Sequence, residues 1–465
     1  MLSTPTMLEA FEEMGRWWPV GSSRVKTRGT LRFRPPDGLS LELVVSTPAQ
    51  QRHFAEPHPS LVIHGTTDAG RRVTLMDCFV SGSRQYFATR VSHTTVMANR
   101  AVIGAHLRAH AKPRFPFLAV RLTHFDEWNC QTGIAAKHGA DRDSLVRADY
   151  NFVPTRQFHL PALRARLSIS SSFTDSTPRV GVLHWDENWW LNLSYDTPQP
   201  LDRLLQDQGD LATFLSLLIG DAVHPLRLTL KTALMSPELD VVQLMARRRP
   251  DRVIHAQGML LPHPSVQHVF GVALNRWYER REALRSVYDL VGGTLYDPDL
   301  YPSLRFLMLA QAAETFHRQA RSGTYVPKRD FRAVARALKR AIPSNVPGEL
   351  RQALVSRIDF GNDLSLRTRL TCLVDEVPWD VQSRYIGLPD HFVRSVAATR
   401  NYLTHHPPSL PRGATAAPEE QHRLAQQLRV LLTWLLLAEA GIPKDILQES
   451  VVSRRVFADV VLHTG

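Results

Sequence analysis

The residues with the clearest chemical potential lie in the segment 390–408. Within it, Arg400 supplies a fixed cation, Asn401 a polar amide, and His405 an imidazole that can accept or donate a proton. RNA cleavage needs such a set, because a 2′-hydroxyl must lose a proton, a 5′-oxygen must gain one, and negative charge builds on the phosphate. We therefore expect Arg400 to steady the phosphate, His405 to transfer protons, and Asn401 to orient one or both.

The same segment is predicted to be a helix that ends directly after its histidines. Asn401 and His405 are four residues apart and share a face, whereas Arg400 lies about 140° around the helix from His405. A proline pair after His406 stops the helix. Taken alone, these residues are more often a solvated helix end, and His406 is either ordinary or auxiliary. Five apolar residues make one apolar face of this helix: Phe392, Val393, Val396, Ala397 and Leu403.

Glu314 is a candidate supporting residue on an earlier predicted helix, 304–318. It interrupts an apolar face near Ala310, Ala313 and Phe316. Two interpretations remain open: Glu314 lies exposed at the edge of that face, or it pairs with Arg400 inside a helical bundle.

A basic ridge is predicted on the helix 329–341. Its four cations repeat every fourth residue and could follow an RNA backbone, although a solvated amphipathic helix is the commoner explanation. The RNA-binding candidates are Lys328, Arg332, Arg336 and Arg340.

The elements that must position these residues change character along the chain. The first half alternates apolar and polar residues between turn signals, which predicts a sandwich or barrel-like β module. Helical periodicity begins near residue 201 and dominates beyond residue 265. We expect an α+β protein, with a β-rich region at 1–240 followed by an all-α bundle at 241–465.

The composition of the chain limits which partners, metal sites and cellular compartments are expected. The 465 residues carry a formal net charge of +12, of which +3 falls in 1–240 and +9 in 241–465, so a polyanion should favour the second half. Three separated cysteines and the lack of a carboxylate cluster give no metal site, and no cofactor is expected. No export signal or membrane span is predicted, and the cytoplasm is the expected compartment.

The segment around Arg400 resembles the Arg-Asn-x-x-x-His form of the R-x4-6-H motif of HEPN ribonucleases. It lies, as in that family, on the penultimate major helix, before a strongly apolar one. Residues 270–290 with Trp277, followed by residues 304–318, resemble the entry into an ApeA-type HEPN domain. Short N-terminal segments resemble the β-rich region of the same bacterial anti-phage proteins: 15–19, 28–31, 63–65, 73–75, 103–106 and 126–128.

This resemblance covers nearly the whole chain and implies a two-part defence protein. Region 1–240 would be a sensing or regulatory module that meets a phage-derived trigger. Region 241–465 would contain a metal-independent endoribonuclease that acts on RNA as a homodimer or higher homo-oligomer, with two motifs facing one cleft. The residues alone leave another class open: a non-catalytic ligand- or RNA-binding protein with a β-rich recognition module.

Overall fold

Antiparallel strands dominate the first 243 residues of the computed structural model. Strands β6-β3-β2-β1-β4-β5 are neighbours in that order, and β5 also pairs with β6, so these six strands close on themselves. The structure describes residues 7–22, 24, 26–35, 37–47, 61–86, 91–107, 113–137, 147–180, 182–233, 235–244, 253–321 and 323–460. The six strands are β1 (Phe11–Pro19), β2 (Thr27–Arg34), β3 (Gly38–Val45), β4 (Leu61–Thr67), β5 (Arg72–Tyr86) and β6 (Val91–Ile103).

The six closed strands enclose an apolar core in which Trp17 is the largest side chain. Its indole Nε1 donates to the Gly29 carbonyl at 3.0 Å. Gly65 lies against the indole so closely that a Cβ there would be 2.1 Å from a ring atom. A glycine at residue 65 is therefore needed for this packing.

Further strands extend the same sheet from β6 in the order β14-β13-β7-β12-β11-β10. They are β7 (Arg114–Leu122), β10 (Arg156–Leu160), β11 (Ala165–Arg179), β12 (Val182–Pro200), β13 (Pro225–Lys231) and β14 (Leu239–Gln243). A separate pair is formed by β8 (Ile134–Lys137) and β9 (Arg147–Tyr150). Short helix α1 (Phe125–Asn129) precedes β8, and α2 (Leu201–Ile219) packs on β7 and β12.

The helical region confirms the expected change of architecture. Its elements are α3 (His263–Val266), α4 (Phe270–Tyr296), α5 (Pro302–Phe316), α6 (Lys328–Arg340), α7 (Gly348–Asp359), α8 (Leu366–Asp375), α9 (Trp379–Val381), α10 (Pro389–His405), α11 (Pro418–Glu439) and α12 (Lys444–Ser453). Strands β13 and β14 follow α2, so helices take over after residue 243 and not at residue 201. By packing, the chain divides into Met1–Tyr278 and Glu279–Gly465, while the functional limits 1–240 and 241–465 stay a prediction.

Helix α11 forms the centre of the second unit and packs against α5. Leu431, Leu432 and Leu435 are among its fully buried residues, as expected for the most apolar stretch of the sequence. None of the helices in the described part of the chain is long and apolar enough to cross a membrane.

Helices α6 and α7 are much less buried than the others. Ala335 is the single buried residue of α6, and α7 has none. The apolar residues of α6 face a core only in part, because Val334 and Leu338 are about half exposed.

Candidate active site

The candidate catalytic residues are carried by the last two turns of α10. This helix begins with Pro389, buries Phe392, Val393 and Val396, and ends at His405. His406 terminates it in the left-handed conformation (φ 44°, ψ 56°), and its N–H donates to the Tyr402 carbonyl at 2.8 Å. The helix therefore stops where the proline pair predicted.

A buried hydrogen bond ties the end of α10 to the start of α11. Thr399, directly before Arg400, is completely buried, and its Oγ1 accepts from the Thr415 N–H at 3.1 Å. The Thr415 hydroxyl accepts from the Ala417 N–H, and its carbonyl accepts from the Gln421 side chain. The buried Thr399–Thr415 hydrogen bond therefore fixes the position of the helix end that carries the candidate site.

Arg400 is partly buried and bound on two sides. One guanidinium nitrogen donates to Glu314 Oε2 at 3.3 Å, and another donates to Asn401 Oδ1 at 3.3 Å. Its side chain keeps 28% of its exposure, which leaves part of the cation open to a ligand. The structure therefore brings Arg400, Asn401 and Glu314 together at the surface of the bundle.

Glu314 divides its carboxylate between two arginines. Its Oε2 faces Arg400, and its Oε1 accepts from Arg318 Nη2 at 3.0 Å. Arg318 also donates to Asp363 Oδ2 at 3.3 Å. Burial lowers the pKa of Arg318, but hydrogen bonds and charges of Glu314 and Asp363 outweigh it and raise the pKa. With 12% of its side chain exposed, Glu314 is held as a shared anion between the arginines.

A buried arginine–histidine contact lies next to this group in the chain. His317 begins a π-helical turn, His317–Arg321, that continues α5. Its Nδ1 accepts from Arg369 Nη1 at 3.0 Å, and both residues are buried. Burial, and then the Arg369 charge, lower the pKa of His317, so this imidazole is neutral at pH 7. We interpret it as a structural histidine that holds the π turn against α8.

The three polar groups at the end of α10 differ from Arg400 in being open to solvent. Asn401, His405 and His406 are all exposed. The His406 ring contacts Tyr402 edge-on, with 6.2 Å between centroids. Within the described residues, no hydrogen bond joins His405 to Arg400 or Asn401. The proton-transfer candidate is therefore free to meet a substrate, and its catalytic role stays a prediction.

The predicted basic ridge lies on one exposed helix. Lys328, Arg332, Arg336 and Arg340 are all exposed on α6, and the Arg336 Nε donates to the Arg332 carbonyl at 3.3 Å. A hydrogen-bonded pair holds the base of the segment: the Val326 N–H donates to Asn362 Oδ1, and the Asn362 amide donates to the Val326 carbonyl. Asp363 follows directly and binds Arg318. Hydrogen bonds of Asn362 and Asp363 therefore connect the segment before α6 to Arg318, the partner of Glu314.

Sequence reasoning missed Arg318, Asp363, Arg369 and His317. The first of these had a signal, because Arg318 lies four residues after Glu314 on a predicted helix. The other contacts join distant parts of the chain. Among the described residues, no group of three or more His, Cys, Asp or Glu side chains is arranged to hold a metal ion.

These observations define a class: a β-rich region followed by a helical bundle that carries an Arg-Asn-x-x-x-His motif at the end of a late helix. Comparison with protein families identifies both parts. The model of ApeA N-terminal domain 1 matches residues 12–277, and that of Apea-like HEPN matches residues 307–446.

Because the first match covers more than half of the chain, the chain belongs to the ApeA-like, HEPN-containing proteins, a family of anti-phage defence nucleases. Neither the comparison with curated proteins nor that with solved structures gives a match. The HEPN match includes Glu314, α6 and the whole of α10.

Proposed function

We propose that this protein is a defence endoribonuclease that cleaves RNA by attack of a 2′-hydroxyl on the adjacent phosphate, without a metal ion. The observation that carries the proposal is the end of α10. There a partly open Arg400 is bound to Asn401 and Glu314, and an exposed His405 lies on the next turn. This arrangement supplies a phosphate ligand, a polar orienting group and a proton carrier within six residues of sequence.

Each group has one task in the proposed reaction. Arg400 binds the scissile phosphate and stabilises the charge that builds on its oxygens. His405 removes the 2′-hydroxyl proton as the bond from O2′ to phosphorus forms, or protonates O5′ as the bond from phosphorus to O5′ breaks. Asn401 orients the phosphate or the imidazole. The products are a 2′,3′-cyclic phosphate and a free 5′-hydroxyl.

Both proton transfers need a group in the correct protonation state at the same time. One exposed His405 cannot be base and acid in a single concerted step. We therefore propose that two copies of the chain place their α10 ends opposite one another, so that one His405 acts as base and the other as acid. His406 is an auxiliary candidate, because it adjoins His405 but turns with the left-handed end of the helix.

Glu314 is a positioning residue in this proposal. It holds Arg400 from behind, and its second oxygen remains bound to Arg318 when Arg400 turns toward a phosphate. The exposed cations of α6 support a second part of the proposal, in which RNA follows this helix toward the site. We further propose that region 1–240 senses a phage-derived trigger in the cytoplasm and controls the nuclease.

The test compares purified wild type with His405→Ala and Arg400→Ala on RNA and matched DNA, in EDTA. The matched control is His391→Ala, since His391 is exposed on the first turn of the same helix. Loss of either active residue should slow RNA cleavage by about 10²- to 10⁴-fold. The control should cleave like the wild type, and end-group analysis should find the cyclic phosphate.

Three outcomes would contradict the mechanism: full activity of folded His405→Ala, strict dependence on Mg²⁺, or products that end in a 3′-hydroxyl. If purified wild type is silent, a phage-challenge assay with the same variants at matched expression replaces it. If Arg400→Ala and His405→Ala still protect against phage in that assay, the result would favour the alternative of a non-catalytic ligand- or RNA-binding protein.

A further inference from the structure

The hairpin of β11 and β12 extends beyond the rest of its sheet. Strand β10 pairs with β11 only as far as Ile169, and β7 pairs with β12 only from Leu191 onward. Between these points the two strands pair with each other through Ser176 and His184. Residues 170–180 and 182–190, which we call the ribbon, therefore project by about 30 Å at roughly 3.3 Å per residue. Among the described residues, no strand pairs with the ribbon's outer edges.

Aromatic rings continue along one face of this ribbon. Phe173 stacks on Tyr150 of β9 at 3.9 Å between centroids. Two rings stand nearly perpendicular to this stack: Phe152 against Tyr150 at 5.0 Å, and Trp185 against Phe173 at 5.4 Å. Phe152 is 82% exposed, so the apolar surface of its ring is available to another molecule.

Glu187 fixes the base of the aromatic group because it connects the hairpin to Tyr150 and to the segment before β8. Glu187 lies opposite Phe173 in the hairpin and accepts from the Tyr150 hydroxyl at 3.1 Å. It also accepts from the Thr132 hydroxyl at 2.7 Å and from the Gly133 N–H. The rings are thus held in place before any ligand arrives, which lowers the entropy cost of binding.

Toward its tip the ribbon stays apolar, and one exposed carboxylate lies beside the aromatic group. Leu183 is 62% exposed, and Val180 is completely exposed. Asp175 lies opposite Trp185 and is exposed. In sequence the ribbon holds three carboxylates and one arginine, a net charge of −2 on a chain whose total is +12. A ligand that complements this surface is cationic and apolar, a chemistry that fits a basic polypeptide better than the polyanion RNA.

We propose that the ribbon is a docking site for an extended segment of another polypeptide in which basic and apolar side chains alternate. Its backbone would pair with a free edge of the ribbon, its apolar side chains would cover Phe152 and Trp185, and its cations would meet Asp175 and the aromatic faces. This inference rests on the proposed sensing role of region 1–240 and assigns that role a site and a class of partner.

The test measures binding of labelled synthetic peptides to the full-length protein by fluorescence anisotropy. The probe is a short peptide in which Val and Lys alternate, and the comparison peptides replace Lys by Glu or Val by Ser. We expect the Val-Lys peptide alone to bind well. Phe152→Ser combined with Trp185→Ser should weaken its binding about tenfold or more, and Asp175→Asn should weaken it less. Met235→Ser, which also changes a fully exposed apolar residue, is the control and should bind normally.

Equal binding of the Ser-Lys peptide, equal binding of the Val-Glu peptide, or unchanged binding by the double variant would overturn the proposal. So would failure of wild type to bind the Val-Lys peptide. RNA cleavage by the same preparations is measured separately. Absent peptide binding with intact cleavage therefore rejects the ribbon site alone, whereas intact peptide binding with Arg400 and His405 dispensable in the phage-challenge assay rejects the nuclease alone.

Discussion

Thr399→Val tests whether the buried bond between Thr399 and Thr415 fixes the end of α10. Valine matches threonine in shape, so the completely buried position gains neither a cavity nor a clash. What disappears is the hydroxyl that accepts from the Thr415 N–H at 3.1 Å. Thr415 is only 7% exposed, so water cannot easily replace that acceptor.

The expected cost follows from leaving one buried donor without a partner. Such a change costs about 1–3 kcal/mol, which corresponds to a factor of about 5 to 150 in a local opening equilibrium. Amide hydrogen exchange is the direct assay, because the Thr415 N–H itself is the reporter. In Thr399→Val it should exchange faster by that factor.

Thr404→Val is the matched control on the same helix. Thr404 is exposed, and its hydroxyl donates to the Arg400 carbonyl at 2.7 Å, a group that α10 already satisfies in part. Its replacement should change exchange at Thr415 by less than about twofold, since exposed substitutions usually fall within about 0.5 kcal/mol. Equal exchange in wild type and both variants would refute the view that this bond holds the helix end.

Three further outcomes are expected. Glu314→Gln removes the charge that Arg400 and Arg318 share; RNA cleavage should fall while the free energy of unfolding changes by only about 1 kcal/mol, and unaltered cleavage would reject a positioning role. Replacing the α6 cations with glutamine should weaken RNA binding and flatten its dependence on salt, by about one unit of slope for each phosphate that the helix no longer neutralises. Burial, and then Arg156, lower the pKa of His263 to about 4, so the unfolded chain binds this proton first as the pH falls. Urea titrations should show the first unit losing up to about 3 kcal/mol between pH about 6.5 and about 4, and losing less in His263→Gln.

Helix positions were the most predictable feature because most of the helices bury one apolar face. The apolar spacing predicts a helix at 391–405, and the structure has Pro389–His405; the difference is the first turn, where proline is favoured. The helix that the apolar spacing predicts at 201–218 likewise agrees with the observed helix Leu201–Ile219. Lys444–Ser453 was not predicted, because it is short and follows the Gly441 and Pro443 stop signals.

Contacts between distant residues could not be read from periodicity. Strands β13 and β14 are short and follow a long helix, so no local pattern indicates that the chain returns to the sheet there. Glu314 and Arg400 are 86 residues apart in the chain. The sequence therefore favoured neither their pairing nor the alternative, in which Glu314 lies exposed at the edge of its helix. The ribbon contacts were missed for the same reason: the ring of Tyr150 meets Phe173 only because β9 folds back on β11.

The shared position of Glu314 explains how an arginine can be both held and available. If Glu314 were bound to Arg400 alone, an incoming phosphate would strand a carboxylate that is 12% exposed, and desolvation makes an unpaired charge there costly. Arg318 keeps its own contact with Glu314 and is itself steadied by Asp363. In the proposed reaction Arg400 therefore exchanges one anion for another while the carboxylate behind it stays neutralised. In this proposal Arg318, which does not touch the substrate, lowers the barrier to phosphate binding.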